Sequence, residues 1–259
     1  MHSETVLAAY DQQMRRGARA DGPGARVERI GNVVRHFGTE RDWNGVLWSD
    51  LDADTADAAI AEQVAFFGAL GVDDFEWKLY SHDRPADLGR RLGAAGFTPR
   101  PQEALMVAEI GELATGVNLP AGIHLRPVAT AADVDLVVDV HERVFGADGS
   151  RLRHRLLAQL AEAPDTVMAV LAMAADQPVC AARLELHAGA DFASLWGGGT
   201  LPAWRGKGIY RALIAYRAAI AAERGYQYLQ VDASDESRPI LGRLGFVRLS
   251  TTTPYLYQF

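Results

Sequence analysis

Cysteine is nearly absent: Cys180 is the only one in 259 residues. A single thiol excludes an intramolecular disulfide and fits a reducing compartment, so the expected location is cytoplasmic. Long apolar runs are missing too. The longest, "VMAVLAMAA" at 167–175, is too short to cross a bilayer, so no membrane partner is expected. The opening "MHSETVLAAYDQQMRR" places its basic residues after its apolar ones, the reverse of a secretory leader. Lysine is scarce, with Lys78 and Lys207 the only two among 26 basic residues. Neither half has an excess of positive charge. Residues 1–120 carry 12 basic against 19 acidic side chains and residues 121–259 carry 14 of each, so the whole formal charge of −7 lies in the first half. That balance argues against a nucleic-acid partner, whose phosphates demand cations, and is compatible with a cationic ligand. Metal-ligand spacing is also lacking among the seven histidines, and no metal is expected.

What remains is an ordinary globular composition, 49% hydrophobic and 23% charged, sufficient for one large or two small cored domains. The first half reads as a helix capped by Ser3, then the short strands "RVERI", "NVVRHF" and "NGVLWS". A helix capped by Asp52 or Asp54 follows, with Ile60, Val64, Phe67 and Leu70 on one face and Gly71 as its stop. "FEWKLYS" and "EALMVAEI" read as strands on either side of a helix begun by Pro85. The polar, turn-rich "GELATGVNLPAG" (111–122) reads as a linker. The second half reads β-α-α-β-β-β-α-β-α-β, with Thr130 capping its first helix and a closing strand around "TTPYLYQF". The expected fold class is therefore α/β, an α+β mixed sheet with helices packed on it, in domains 1–115 and 121–259. "FEWKLYSHDRPADLGRRLGAAGF" and "YQYLQVDASDESRPILGRLGF" both run strand, polar turn, proline, Leu-Gly-Arg helix and Gly-Phe. The elements before them correspond as well, so the chain reads as an internal duplication with a truncated first copy.

The most informative stretch is "GGGTLPAWRGKGIYRALIAYRAAIAAERG", 197–225. A strand ends near Gly199 and a helix opens near Ile209, whose first turn presents unpaired N–H groups and the positive end of its dipole. Gly206 and Gly208 let the backbone bend around a phosphate, and Arg205 and Lys207 add charge. Two phosphate loops fail on spacing. A Walker A loop needs Gly where Leu201 stands and Ser or Thr where Gly208 stands, and a dinucleotide G-x-G-x-x-G needs Gly where Arg211 stands. A plain strand–helix turn is the competing reading.

Arg205-Gly206-Lys207-Gly208-Ile209-Tyr210 fits Arg-x-x-Gly-x-(Gly/Ala) in all but its last position. Together with "TLPAWRGKG" before it, and "GFVRL" after a Pro-Ile-Leu helix, it resembles the acyl-CoA-binding motif of the GNAT superfamily of N-acetyltransferases over about residues 123–259. The resemblance implies a tandem acyl-CoA N-acyltransferase-like fold with acetyl-CoA as cosubstrate. By it, the N–H groups from Gly206 to Tyr210 would hold the pyrophosphate, reinforced by Arg205 and Lys207. Gly199, Thr200 and Leu201 would pair with the pantetheine arm and help polarise the thioester carbonyl. Ser234 falls where relatives often place a cofactor-binding Asn. The implied reaction is direct attack on the thioester by the primary amine of a small, cationic molecule; the alternative is a catalytically impaired acyl-CoA-binding sensor or scaffold.

Three positions depart from the family pattern. Tyr210 replaces a small residue, Leu241 stands where many members place the tyrosine that protonates the leaving thiolate, and Ser194 stands where some place a glutamate base. Glu185 and His187, alternating onto one face of "RLELHA", are the candidate catalytic residues, with Asp191, Tyr255 and Tyr257 as lesser ones. Cys180 reads as core. In the first half the corresponding junction, "WSDLDADTADAA", is acidic and would repel phosphate. That half is expected to complete the fold and to wall a substrate cleft where its acidity favours an amine. Nothing in the residues marks an oligomeric state.

Overall fold

The computed structural model describes residues 2–20, 22 and 24–259. The chain divides into two compact units. The first comprises Met1–Met106, Asp232–Pro239 and Arg248–Phe259; the second comprises Val107–Val231 and Ile240–Val247.

In the first unit, α1 (Ser3–Tyr10) continues as a π-helical stretch over Asp11–Arg16. Strands β1 (Arg26–Ile30), β2 (Val33–Phe37) and β3 (Gly45–Ser49) form an antiparallel meander. Helix α2 (Ala56–Leu70) then crosses to β4 (Asp74–Tyr80), which runs parallel to β3 with Val46 opposite Trp77. Next come α3 (Leu88–Ala94), β5 (Thr98–Pro99) and β6 (Glu103–Glu109). Alternation along β4 sends Phe75 and Trp77 to the side covered by α2 and α3, where Ile60, Phe67, Leu88, Leu92 and Phe97 complete the core. Phe67 stacks on Phe75 with ring centroids 4.3 Å apart, and each such ring contributes about 2–3 kcal/mol by burial.

Two expected caps differ. Ser3 is the first helical residue of α1 rather than its cap, which is His2. At α2 the N-cap is Thr55, and Asp52 organises the turn by accepting from the Asp54 and Thr55 N–H groups at 3.0 and 2.8 Å. Gly71 closes the helix at φ 76° as expected. Ile60 and Phe67 are buried but Leu70 is 39% exposed, because at 100° per residue it sits about 70° off the stripe through Ile60 and Phe67.

The second unit adds β7 (Ile123–Pro127), α4 (Ala131–Phe145) and α5 (Ser150–Glu162) before its own meander of β8 (Val167–Ala174), β9 (Gln177–Leu186) and β10 (Phe192–Thr200). Helix α6 (Ile209–Glu223) leads to β11 (Tyr228–Ala233), parallel to β10, and α7 (Arg238–Arg243) precedes β12 (Val247–Gln258). Thr130 caps α4 in a reciprocal box with Asp133. Helices α4 and α5 pack on the face of Ala169, Leu171 and Ala181, while α6 packs on the face of Val170, Ala172 and Ala182.

Both units thus repeat one plan, a three-strand meander, a helix, a parallel strand and a short helix, and the fold class is the expected mixed α/β. The division of the chain is different from 1–115 and 121–259. It falls at Met106/Val107, within β6, and β12 belongs to the first unit, pairing antiparallel with β4 from Thr252–Tyr80 to Gln258–Asp74. Aromatic packing explains the placement: the Tyr257 ring meets Phe75, Phe97 and Phe259 at 5.6, 5.1 and 5.1 Å. No helix among the described residues is long and apolar enough to cross a membrane.

Candidate functional site

The glycine triplet breaks β10. Trp196 lies opposite Arg183 and Gly199 opposite Ala181, so Gly197 and Gly198 together face Ala182 in a β-bulge. Gly197 has φ +56°. A Cβ on Gly198 would stand 2.9 Å from the Tyr210 ring, and one on Gly199 would stand 2.9 Å from Val144 and 3.1 Å from Phe145. The glycines therefore let α6 and α4 close on opposite faces of the broken strand.

Beyond the bulge, Leu201 N–H donates to the Val179 carbonyl at 2.9 Å, and Pro202–Trp204 form a 3-10 turn. Arg205 Nε donates to the Thr200 carbonyl at 3.1 Å, and Lys207 Nζ lies 4.4 Å over the Trp204 ring. Gly206 and Gly208 both take left-handed φ, +75° and +84°, with nothing within 4 Å of a Cβ at Gly206. Gly208 is the N-cap of α6; no side chain caps the helix and no acid occupies its first turn. The first helical bond runs from Ala212 N–H to the Gly208 carbonyl at 3.0 Å. The N–H groups of Ile209, Tyr210 and Arg211 therefore lack an intrahelical acceptor, beside an exposed Arg205 and Lys207. Such a helix end can take a phosphate-sized anion.

Beneath the bulge lies Arg217, which the sequence reading passed over. It is 1% exposed; its Nε donates to the Leu213 carbonyl at 3.0 Å and its Nη1 to the Arg183 carbonyl at 2.9 Å. Among the described residues no carboxylate pairs with it, and burial pulls its pKa down to about 10. It occupies the carbonyl beside the interrupted ladder. The available signal was an arginine one turn from Leu213 and from Ala221, on the apolar face of "ALIAYRAAIAA".

Tyr210 turns inward against Gly198, and burial raises its phenol pKa. Cys180 accepts a bond from Thr200 Oγ1 at 3.1 Å, and burial pushes its thiol up to about 11, which suits core rather than nucleophile. Glu185, Ser194 and Gln230 lie in register across β9, β10 and β11. Glu185 is ion-paired to Arg155 of α5, so its charge is already engaged. Ser194 Oγ lies 2.7 Å from His187 Nε2 and accepts from Gln230 Nε2 at 2.5 Å.

Ser234 groups with the first unit, where its Oγ is 3.3 Å from Ser237 Oγ in the turn before α7. Tyr255 and Tyr257 pack against the first unit's core. Leu241 is fully buried and carries no proton to give.

Comparison with known proteins matches this geometry at the level of fold. A GCN5-related N-acetyltransferase from Kribbella flavida superposes with a TM-score of 0.70 at 21% identity, over 96% of this chain and 93% of that one. A functionally unknown conserved protein from Staphylococcus epidermidis gives 0.70 at 14% identity, over 94% and 96%. A tandem GNAT protein from the clavulanic acid biosynthesis pathway gives 0.61 at 13% identity, over 92% and 84%. No protein-family model and no curated protein matches the chain. The fold is that of the GCN5-related N-acetyltransferases, in a two-unit form.

Proposed function

We propose that the chain is an acetyl-CoA-dependent N-acetyltransferase whose second unit carries the acyl-CoA site. The observation that carries this reading is the opening of α6, where glycine-hinged backbone leaves three N–H groups unpaired with two basic side chains and no acid. These atoms fit a pyrophosphate: Gly206 to Tyr210 would hold it, with Arg205 and Lys207 adding charge. The strand end Gly199-Thr200-Leu201 would pair with the pantetheine arm. Bound acetyl-CoA supplies the activated acyl group.

The acceptor is a small molecule, cationic in solution, whose primary amine reacts in its neutral form. Its nitrogen attacks the thioester carbonyl and gives up a proton to a base or to water, the C–S bond breaks, and the thiolate takes up a proton from water. Of the two candidate bases we favour His187, which lies beside Ser194, because Glu185 is tied to Arg155. Calorimetric titration of acetyl-CoA into wild type and Gly208→Trp tests the cradle. Saturable binding that the variant loses supports it; a wild type that binds no acetyl-CoA refutes it.

A second reading, an acyl-CoA-binding sensor, is favoured by Leu241 and Ser194, which stand where relatives place acid and base. Thiol release from acetyl-CoA with a panel of primary amines separates the two: the enzyme releases CoA, the sensor binds without turnover.

A further inference from the structure

The first unit holds a polar cluster that neither its core nor the acyl-CoA reading uses. Along β4 the residues opposite to Phe75 and Trp77 are Asp74, Glu76, Lys78 and Tyr80, on the face away from the aromatic core. Lys78 is ion-paired to Asp232, whose side chain is 2% exposed, and its ammonium lies 6.0 Å from the Tyr80 ring. Trp43 Nε1 donates to Glu76 Oε2 at 3.4 Å; Gly45 leaves room for that indole, since a Cβ there would stand 2.7 Å from it. Tyr10 of α1 meets Tyr80 hydroxyl to hydroxyl at 3.0 Å. Glu103 opens β6, the strand next to β12, which itself pairs with β4, and it feels the charges of Asp232, Lys78 and Glu76.

Charge and hydrogen bonding are both incomplete here. Three carboxylates, Glu76, Glu103 and Asp232, share one ammonium. Asp232 Oδ1 is buried without a hydrogen-bond partner. So is Thr252 Oγ1, on a residue that is 0% exposed and sits directly opposite Tyr80 on the same sheet face. An orphaned buried acceptor costs about 1–3 kcal/mol, and two in one cluster mark the place of an absent donor. We propose that this cluster is a binding site for an organic ammonium, whose N–H donors would satisfy Asp232 and Thr252 and whose charge would balance Glu76 and Glu103.

The chemistry selects an organic ammonium over a metal ion. Among the described residues no three acidic, histidine or cysteine groups are placed to ligate a metal ion, whereas the orphaned oxygens of Asp232 and Thr252 call for hydrogen-bond donors. Trp43 supplies aromatic surface suited to an alkylammonium, while the Tyr80 ring is already covered by the Arg15 guanidinium at 3.9 Å. The protonation pattern agrees. Burial, then Asp232 and Glu76, push Glu103 up to about 7 against the pull of Lys78, and burial raises Glu76 too. Protons thus occupy part of the place a ligand cation would take.

The site belongs to the first unit alone, so its test needs no acyl donor. The full chain is titrated calorimetrically with 1,4-diaminobutane and spermidine at pH 7 in buffers of different ionisation enthalpy. Saturable binding is expected, with release of about half a proton as Glu103 ionises. Glu103→Gln should abolish the proton release and weaken binding about tenfold or more. Thr252→Val separates ligand recognition from folding, because removing an orphaned buried hydroxyl should raise Tm while lowering amine affinity. No binding by either amine, equal binding in Glu103→Gln, or Mg2+ binding with the same variant dependence would each overturn the assignment.

Discussion

Glu103 makes the residue scale measurable without any ligand. Burial lifts its folded pKa from 4.5 to about 7. The folded chain therefore holds this proton more tightly than the unfolded chain, and the resulting stabilisation is complete below the unfolded value and lost as pH rises through about 7. Wild type should lose on the order of 2 kcal/mol of stability between pH 5 and pH 8 from this group, and Glu103→Gln should remove that component. Urea unfolding of both proteins at the two pH values reads the difference, and parallel pH profiles would contradict it. Arg217 shows the same physics with opposite charge: a cation buried with carbonyls alone for partners, and a pKa pulled down to about 10. Neither perturbation was legible in the sequence. A glutamate in "EALMVAEI" and an arginine in "ALIAYRAAIAA" look like ordinary strand and helix residues until long-range pairing sets their burial.

At the scale of elements, the loop and its helix were readable because their signals are local. Glycine at 206 and 208, proline at 202 and an apolar helix after them dictate a turn with left-handed residues wherever the chain lies. The triplet at 197–199 carried only half its meaning, since close approach of α4 and α6 depends on residues more than ten positions away. The two glycine classes should respond differently to alanine. Gly206→Ala meets open space but must adopt φ +75°, a strain of about 1–2 kcal/mol, and should weaken acetyl-CoA binding as the loop relaxes. Gly199→Ala sits in an extended strand but drives its Cβ to 2.9 Å from Val144, an overpacking cost of about 1–3 kcal/mol. Thermal unfolding combined with acetyl-CoA titration distinguishes them: Gly206→Ala should lose more affinity per kcal/mol of lost stability. A larger binding defect in Gly199→Ala would mean that the strand, rather than the loop, dominates recognition.

At the scale of the whole chain, duplication was legible and its execution was not. Two stretches of matching strand, turn and helix announce two copies, and both units do run meander, helix, parallel strand and short helix. Which unit receives the last strand is decided by pairing between residues about 180 apart, which no local pattern encodes. Its side chains carry the answer: Tyr255 and Tyr257 join a core already built from Phe67, Phe75, Trp77 and Phe97. The C-terminal strand is thus a structural part of the unit that opens the chain. Tyr257 is partly buried, so Tyr257→Ala should cost less than the roughly 3–5 kcal/mol of a fully buried aromatic truncation. The loss should be confined to one unit. Hydrogen exchange should quicken in β1–β4 and β12, while amides of β7–β11 keep their protection and acetyl-CoA affinity is retained. Uniform loss of protection across both sets of strands would instead make the two units one cooperative block, with the closing strand as a shared element.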